Sequence, residues 1–405
     1  MVGVGPGDAS FLTPAAGEAV AAAQVLVGAP RHLEALAGSG QETFPLAGDL
    51  AGAAEFIRGR VAAGRAVAVL ATGDPGLFGI LAFLRRRFSA TELLVIPGVS
   101  AVQLAFARLA LPWQDAVVVS AHGRHHRAAI AAVLRGAKAA VFTDPPPAPA
   151  ELARELLAAG APPMEVYLLG DLSYPAEGVY RYTLRELADG PVCPHRQVIL
   201  VFPGAPEGVT PAWPYRTGGI PDGLFLRGPT PMTKEETRAL VLAKLRLADG
   251  QVIWDIGAGT GSVSVEAALT VPLGQVWAVE RATEGMRLIE ANRRKFGAAN
   301  LHPVAGAAPE ALRGLPPPDR VFVGGSGGAL EEILRYTART LRPGGRLVVS
   351  TVTLETQGRA LALLGELFGR VEAVQTAVAV SREAGASHLW QARNPVCLLT
   401  VEKGR

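Results

Sequence analysis

The chain has 405 residues, a formal net charge of +3 and 49% apolar residues. This length predicts two or three domains with well-buried cores. The mild positive charge argues against a protein that binds nucleic acid through a basic surface. Cys193 and Cys397 are far apart in the sequence, so neither a disulfide framework nor a metal-binding cysteine motif is expected.

The N-terminus shows no targeting segment. Met1 is followed directly by an apparent strand, without the basic and apolar regions of a signal peptide. No charge-free apolar run is long enough to cross a bilayer. We therefore expect a cytoplasmic protein that does not insert in a membrane.

In chain order, the first half alternates short apolar runs with helical stretches, which predicts an α/β domain over residues 1–205. The predicted strands are Val2–Gly5, Ala66–Ala71, Leu93–Ile96, Val117–Ser120, Ala139–Thr143, Val166–Leu169 and Val198–Phe202. The predicted helices are Ala15–Ala23, Leu50–Ala63, Ile130–Leu134 and Ala150–Ala158.

Four loops in this half follow strands and combine Gly with Pro, Asp or Ser. They are residues 3–8, 72–76, 97–101 and 120–123. Such loops offer free backbone N–H groups and a carboxylate, which suit a zwitterionic ligand that also carries ribose hydroxyls. Their recurrence at the ends of successive strands predicts a ligand site.

Two of these loops resemble the signatures of the tetrapyrrole methylase family. Residues 2–13 (VGVGPGDASFLT) are similar to the first signature and residues 72–79 (TGDPGLFG) to the second, with Thr72 where relatives commonly have Gly. The resemblance implies a two-subdomain α/β fold that binds S-adenosylmethionine (SAM) in the cleft. The residues that it places at the SAM site are Pro6, Thr72, Gly73, Asp74, Leu77, Ser100 and Ala101.

Two polar groups near these loops have alternative interpretations. Asp8 is either a turn-stabilising residue or a carboxylate on the substrate side. Residues 123–127 (GRHHR) either begin a helix or contact an anion, with Arg124 as the candidate. No metal site is expected there, because no cysteine or spaced carboxylate ligand is nearby.

Residues 206–229 are rich in Pro and Gly and have little helical or alternating pattern, which predicts a linker between domains. The aromatic residues Trp213, Tyr215 and Phe225 suggest that this linker packs on a surface.

Residues 230–405 alternate helices and strands, which predicts a doubly wound, Rossmann-like α/β domain. Its first helix is predicted over Thr233–Leu245, with Thr233 as N-cap. The predicted strands are Val252–Asp255, Val276–Glu280, Arg320–Val323 and Arg346–Thr351, and Asn394–Val401 as a strand that closes the sheet.

The most informative segment is DIGAGTG, residues 255–261, between a predicted strand and a predicted helix, Ser262–Leu269. Its glycines permit positive φ and close approach of a ligand. Glu280, 23 residues after Gly257, ends the next apolar run, where an acidic residue binds a ribose in nucleotide-binding βαβ units. A glycine turn without a cofactor is the alternative.

This segment resembles motif I of SAM-dependent methyltransferases. The candidate cofactor-binding residues of the domain are Thr233, Asp255, Gly257, Ala258, Gly259, Thr260, Gly261, Glu280, Ala307 and Ala308. Relatives often have Asp at the position of Ala307, so backbone groups of Ala307 and Ala308 would contact the adenine, and we expect somewhat weaker SAM binding.

Residues 230–405 resemble a cobalamin-pathway methyltransferase through residues 231–236, 308–312, 323–328 and 393–396. The order of the two halves is similar to that of the precorrin-6Y C5,15-methyltransferase (decarboxylating) family. This resemblance implies two SAM sites per chain and conversion of precorrin-6B to precorrin-8X. It assigns C5 methylation to the N-terminal domain, and C15 methylation with loss of the ring C acetate as CO2 to the C-terminal domain.

A polycarboxylated tetrapyrrole favours cationic substrate contacts. Candidates in the C-terminal domain are Arg382, His388 and Arg393, with Ser326 in the glycine loop where the methyl group would emerge. Residues 381–388 are alternatively only a solvated loop, and the loop of Ser326 only a structural turn. No catalytic acid or base is identified, and a homo-oligomer is expected by analogy with relatives.

Two other functions remain open from the sequence. Some members of the tetrapyrrole methylase superfamily act on RNA, although this chain has no stripe of aromatic and basic residues that would stack bases. One half is alternatively a degenerate, regulatory SAM-binding module. Binding stoichiometry distinguishes one working site from two.

Overall fold

The computed structural model describes residues 1–46, 48–122, 126–145, 147–190, 194–204, 212–215 and 217–404. Its internal contacts divide the chain into two compact units. The first contains residues 1–129, 137–153 and 163–204, and the second contains residues 130–136, 154–162 and 205–405.

Short strands and helices alternate along the first 204 residues. The strands are β1 (Val2–Gly3), β2 (Val25–Gly28), β3 (Glu42–Pro45), β4 (Val67–Ala71), β5 (Val117–Ser120), β6 (Ala139–Thr143), β7 (Glu165–Gly170), β8 (Gly178–Thr183) and β9 (Val198–Phe202). The helices are α1 (Pro14–Ala22), α2 (Pro30–Leu36), α3 (Leu50–Ala62), α4 (Leu81–Leu84), α5 (Ala101–Arg108), α6 (Arg127–Leu134), α7 (Ala148–Ala158) and α8 (Leu184–Ala188).

These strands form two sheets. The first has the order β1-β4-β2-β3 and is parallel. The second has the order β5-β6-β9-β7-β8, in which β5 and β6 are parallel and the other pairs antiparallel. The loops that follow β4 and β5 bring Thr72 and His122 to the ends of their strands, in two of the candidate ligand loops.

The prediction of a strand over Leu93–Ile96 is wrong. Within it only Ile96 pairs with a strand, through an isolated bridge to Val2. Leu94 is 76% exposed, so this apolar run lies at the surface and lacks the burial that a central strand needs. The sequence analysis also missed β2, β3 and β8, since runs of four to six residues carry little periodic signal.

In the second unit, helices and strands largely alternate from residue 235 to residue 368, as predicted, and four consecutive strands follow, of which only the last was predicted. The helices are α9 (Glu235–Leu245), α10 (Ser262–Thr270), α11 (Thr283–Phe296), α12 (Leu330–Thr340) and α13 (Leu354–Phe368). The strands are β10 (Val252–Ile256), β11 (Gln275–Glu280), β12 (Leu301–Ala305), β13 (Arg320–Val323), β14 (Arg346–Thr351), β15 (Glu372–Thr376), β16 (Ala379–Ala384), β17 (Ser387–Ala392) and β18 (Val396–Glu402).

Seven of these strands form one sheet, with the order β12-β11-β10-β13-β14-β18-β15. It is parallel from β12 to β14, and β18 runs antiparallel to both of its neighbours. Trp254 of β10 packs with α12 and α13 on one face, whereas Ile253 packs with α10 and α11 on the other. The prediction of a doubly wound α/β domain is confirmed.

The start of α9 differs from the prediction. The N-cap is Lys234, without a side-chain capping bond, and Thr233 lies one residue before it. The carbonyl of Thr233 accepts a hydrogen bond from Arg238 Nη1 at 2.5 Å. This contact holds Thr233 outside the helix, so its hydroxyl does not cap the first turn.

The end of the predicted linker belongs to the core of the second unit. Ile220 is 0% exposed and Phe225 is 4% exposed, and both pack against residues of α10 and α11. The described residues contain no helix that is long and apolar enough to cross a membrane. They also contain no group of three or more His, Cys, Asp and Glu side chains that would hold a metal ion.

Candidate active sites

The glycine loop after β10 adopts a backbone that only glycine accepts without strain. Gly257, Gly259 and Gly261 have φ values of 70°, 58° and 76°. A Cβ atom at Gly257 would lie 2.3 Å from the carbonyl oxygen of Gly325, and one at Gly259 would lie 2.8 Å from that of Pro231. The loop therefore passes close to two neighbouring loops, and α10 begins directly after it.

The carboxylate of Glu280 is fixed beside this loop. Its Oε2 accepts a hydrogen bond from the backbone N–H of Gly259 at 2.9 Å, and its Oε1 accepts one from Ala282 at 2.8 Å. Each oxygen keeps further acceptor capacity. The side chain also lines the adjacent cavity, so a ligand there can donate hydroxyl hydrogen bonds to it.

The cavity beyond the carboxyl ends of β10, β11 and β13 has a volume of about 640 Å³. This size falls within the range of small-molecule sites. The predicted residues that line it are Thr233, Gly257, Ala258, Gly259, Glu280, Ala307, Ala308 and Ser326.

Three predicted cofactor ligands, Asp255, Thr260 and Gly261, do not line this cavity. Asp255 is 2% exposed and accepts a hydrogen bond from the hydroxyl of Ser264. Burial raises the pKa of the Asp255 carboxyl to about 7, the hydrogen bonds of Ser264 oppose that rise, and the charge of Glu280 adds to it. Asp255, Thr260 and Gly261 therefore belong to the structure of the loop and not to the wall of the cavity.

Two buried oxygen atoms beneath the loop, Asp255 Oδ1 and Thr260 Oγ1, have no hydrogen-bond partner. Unpaired buried oxygens carry a desolvation cost and mark places where a donor fits. Because neither residue lines the cavity, the groups there that fit the ribose and adenine of SAM are the backbone of the glycine loop and the Glu280 carboxylate.

The predicted cationic substrate contacts do not line this cavity. Arg382 and His388 are exposed on the hairpin of β16 and β17, and Arg393 forms an ion pair with Glu236. Lys234 and Arg281 line the cavity instead. The sequence analysis missed Arg281, although its position directly after Glu280 is a local signal for it.

In the first unit, three glycines bring the candidate loops together. A Cβ atom at Gly98 would lie 2.5 Å from the carbonyl oxygen of Gly73, and one at Gly3 would lie 2.6 Å from the backbone nitrogen of Gly98. Asp74 joins the same loops, since its Oδ1 accepts from the N–H of Gly76 at 2.8 Å and its Oδ2 from that of Gly98 at 3.3 Å.

A cavity of about 330 Å³ lies at these loops. The predicted residues that line it are Thr72, Gly73, Asp74, Leu77, Ser100 and Ala101. A second cavity of about 310 Å³ also has Thr72 and Ala101 in its wall. Pro6 lines neither of them.

Asp8 makes the contacts of a turn residue. It is the N-cap of a short 3₁₀ turn, Ala9–Phe11, and its Oδ1 accepts from the N–H of Ser10 at 2.7 Å. These hydrogen bonds lower the pKa of the Asp8 carboxyl. Asp8 lines neither cavity. Arg124 lies outside the described residues.

Seven polar residues that the sequence analysis did not single out as ligands line these cavities. They are Arg31, His32, His122, Thr143, Asp144, Arg196 and Gln197. Nδ1 of His122 lies 2.9 Å from Oδ1 of Asp144. His122 belongs to the fourth candidate loop, so that loop was the available signal, whereas Arg31 and His32 lie on a helix that was not predicted.

The chain matches two family models. Residues 1–188 match the model described as Tetrapyrrole (Corrin/Porphyrin) Methylases, and residues 225–403 match the one described as Precorrin methyltransferase domain. With the folds above, these matches define a SAM-dependent methyltransferase built from two unlike α/β parts.

A full-length relative is the Precorrin-6Y C(5,15)-methyltransferase [decarboxylating] of Sinorhizobium sp. It is 32% identical over 408 residues, which cover 100% of this chain and 96% of the relative. The chain therefore belongs to the precorrin-6Y C5,15-methyltransferase (decarboxylating) family.

Shorter relatives match part of the chain. The Cobalt-precorrin-6B C(15)-methyltransferase (decarboxylating) of Salmonella typhimurium is 42% identical over 184 residues, 45% of this chain and 95% of the relative. The crystal structure of a precorrin-6Y C5,15-methyltransferase from Geobacter metallireducens is 42% identical, with a TM-score of 0.44, and covers 46% of this chain and 97% of its own.

Proposed function

We propose that the protein methylates precorrin-6B at C5 and C15 and removes the ring C acetate as CO2, which gives precorrin-8X in cobalamin biosynthesis. The observation that carries the proposal is the cavity at the carboxyl ends of β10, β11 and β13, where the glycine loop and Glu280 meet. The full-length relative, a precorrin-6Y C(5,15)-methyltransferase [decarboxylating], supports a precorrin as the methyl acceptor.

Two SAM molecules bind per chain in this account. One lies at the loops of Gly73, Asp74 and Ser100 in the first unit. The other lies between the loop of Gly257–Gly261 and Glu280 in the second unit. The similarity of a C15-methyltransferase (decarboxylating) to a segment of 184 residues supports one half that methylates C15 and decarboxylates, and we assign it to residues 230–405. The N-terminal half then methylates C5.

The chemistry requires alignment more than a strong acid or base. A sulfonium methyl is already activated, and a methine carbon between pyrrole-type nitrogens is enamine-like and attacks it in line. Holding the two reactants in this geometry lowers the barrier by about 7–11 kcal/mol. In the decarboxylation the conjugated macrocycle accepts the electron pair that the departing CO2 leaves behind. The residues of the chain then have to hold the remaining carboxylates.

Lys234 and Arg281 are the cationic side chains in the wall of the second unit's cavity. Lys234 Nζ lies 3.6 Å from Asp222 Oδ2, and Arg281 Nη1 lies 3.5 Å from the carbonyl oxygen of Gly327. Both contacts are long, so Lys234 and Arg281 keep donors for a substrate carboxylate. We assign to them the role that the sequence analysis gave to Arg382, His388 and Arg393.

We further propose a cytoplasmic homo-oligomer. The hairpin of β16 and β17 exposes Leu389 at 54% and Trp390 at 78%, which is an apolar surface that self-association would cover. Light scattering coupled to size-exclusion chromatography measures the subunit number, and a monomer at micromolar concentration would contradict this part of the proposal.

The direct test supplies purified protein with SAM and precorrin-6B and follows the product by mass spectrometry. We expect two added methyl groups and one CO2 lost per macrocycle. RNA supplied as the sole acceptor should remain unmethylated. Methylated RNA would favour the alternative acceptor, and a product with a single methyl group would favour a degenerate half.

A further inference from the structure

We propose that Arg31 and Arg196 form a carboxylate-binding subsite in the N-terminal half, and that His32 and Thr72 position the guanidinium of Arg31 in it. This inference rests on the proposed function, because the carboxylate belongs either to the methionyl part of SAM or to a side chain of the tetrapyrrole. The sequence motifs point to neither arginine.

The guanidinium of Arg31 is held by neutral partners. Its Nη2 donates a hydrogen bond to Oγ1 of Thr72 at 3.0 Å. With the side-chain amide of Gln197 turned so that its oxygen faces Arg31, that oxygen accepts from Nη1 at 2.7 Å and from Nη2 at 3.0 Å. The guanidinium carbon also lies 5.9 Å from the centroid of the Tyr174 ring. These contacts fix the group without neutralising its charge.

His32 is adjacent to Arg31 in the chain and is 5% exposed. Its Nε2 lies 2.7 Å from Oγ1 of Thr72. Burial, reinforced by the charge of Arg31, lowers the pKa of His32 to about 4. The imidazole is therefore neutral near pH 7, and in the tautomer with its proton on Nδ1 its Nε2 accepts the hydroxyl proton of Thr72. The lone pairs of Thr72 Oγ1 then face Arg31, which orients the guanidinium.

Arg31 and Arg196 both line one cavity of about 310 Å³. Neither makes an ion pair with a carboxylate of the described residues. Asp144 also lines the cavity, but His122 lies 2.9 Å from it. The backbone N–H of Arg196 donates to both carboxylate oxygens of Asp171 at 3.2 Å, which fixes the backbone just before β9.

Two arginines that line one cavity and have no ion pair with a carboxylate of the described residues attract an anion. A planar carboxylate matches the fork of N–H donors that a guanidinium presents and accepts two parallel hydrogen bonds from it. The remaining donors of Arg31 and those of Arg196 are available for this geometry. A carboxylate is also the anionic group that both SAM and a tetrapyrrole carry.

The test measures C5 methyl transfer by the full chain, with separate KM values for SAM and for the corrinoid. Arg31→Gln should raise one of the two KM values by about 10- to 100-fold, as expected for a lost charged hydrogen bond. Arg86→Gln is the matched control, because Arg86 is an exposed arginine of the same unit that lines neither cavity. It should leave both KM values unchanged.

The positioning role is tested at Thr72. Thr72→Val removes the hydroxyl but keeps the shape of the side chain, and should raise the same KM by several-fold with little change in kcat. Thr72→Ser should restore it. Because the subsite is electrostatic, added salt should raise the affected KM in the wild type more than in Arg31→Gln. A loss of kcat alone, without rescue by Ser, would indicate a merely structural Thr72 and would contradict the positioning role.

Calorimetry of nucleoside binding distinguishes the two sources of the carboxylate. It is done with Glu280→Ala variants, so that the second SAM site does not contribute to the signal. If SAM supplies it, Arg31→Gln weakens binding of S-adenosylhomocysteine but not of 5′-methylthioadenosine, which lacks the carboxylate. If the tetrapyrrole supplies it, both nucleosides bind as before and the KM for the corrinoid rises. Failure of the wild type to methylate the corrinoid would refute the proposed function. Unchanged nucleoside binding together with an unchanged corrinoid KM would overturn the subsite.

Discussion

Glu280 and Gly259 are joined by a hydrogen bond of 2.9 Å from the backbone N–H of the glycine to Oε2 of the carboxylate. The bond connects the end of β11 to the loop after β10, two strands that are adjacent in the sheet. It places the acidic side chain and the turn of the loop against one cavity. The geometry of the second SAM site depends on this contact.

Replacing Glu280 by Ala should remove the acceptor of the ribose hydroxyls and loosen the glycine loop. Loss of charged hydrogen bonds predicts an affinity for SAM at this site that is lower by about 100-fold. C15 methylation and CO2 release should stop while C5 methylation continues, as mass spectrometry of the product will show. Glu284→Ala is the control, since Glu284 is ion-paired with Arg287 at the surface and does not line the cavity.

Asp74→Ala should have the opposite effect. Without its carboxylate the backbone N–H groups of Gly76 and Gly98 lose their acceptor, so the N-terminal loops separate and C5 methylation falls by at least about tenfold. C15 methylation should persist. Glu55→Ala changes an exposed acid on α3 and serves as the control. A loss of C15 chemistry alone in the Asp74 variant is the outcome that contradicts the assignment of sites.

The stability of the second unit should depend on pH through Asp255. Its carboxyl has a pKa of about 7 in the folded chain, raised from 3.8. Between these values the folded state binds more protons at Asp255 than the unfolded state, so this residue makes folding less favourable as pH rises from about 4 to 7. Asp255→Asn should remove that dependence.

Thermal melts of the wild type and of Asp255→Asn at pH 5 and pH 8 measure this effect. Relative to the variant, the wild type should lose stability at pH 8, by an amount of up to about 4 kcal/mol. Asp249→Asn, at an exposed position of the same unit, should follow the wild type. A difference between the wild type and Asp255→Asn that does not change with pH would mean that Asp255 is already ionised when folded.

Arg238 is 0% exposed and joins Glu266 at 2.8 Å and Asp222 at 2.8 Å. Arg238→Met should destabilise the second unit by about 3–5 kcal/mol, because Glu266 would remain buried without a counter-charge. The segment that contains Asp222 and Thr233 should also become more accessible to protease.

The exposed Arg335, which pairs with Glu366, is the comparison. Its replacement by Met should cost less than about 1 kcal/mol.

The features that the sequence predicted well are local in the chain. The loop at Gly257–Gly261 and the carboxylate at Glu280 come at the ends of largely apolar strands, and β5, β6, β9, β13 and β14 lie at their predicted bounds. Strand, glycine turn and helix are adjacent in sequence there, so each supports the interpretation of the next.

The features that the sequence could not predict depend on contacts between distant residues. Thr233 has the residue type of an N-cap, but its carbonyl is engaged by Arg238. Arg382 and His388 are residue types that can bind a carboxylate. They lie on the two-stranded hairpin, however, and do not line the cavity that Arg281 lines. Arg31 reaches Thr72 from a helix that is 41 residues earlier in the chain. Such positions are set by sheet order and packing, which no local pattern contains.

Calorimetric titration of the intact chain with S-adenosylhomocysteine tests most directly whether both halves hold the methyl donor. The account predicts two molecules bound per chain, falling to one in Glu280→Ala and to one in Asp74→Ala. A wild type that binds one molecule, and loses it entirely in either variant, would contradict the claim of two working sites.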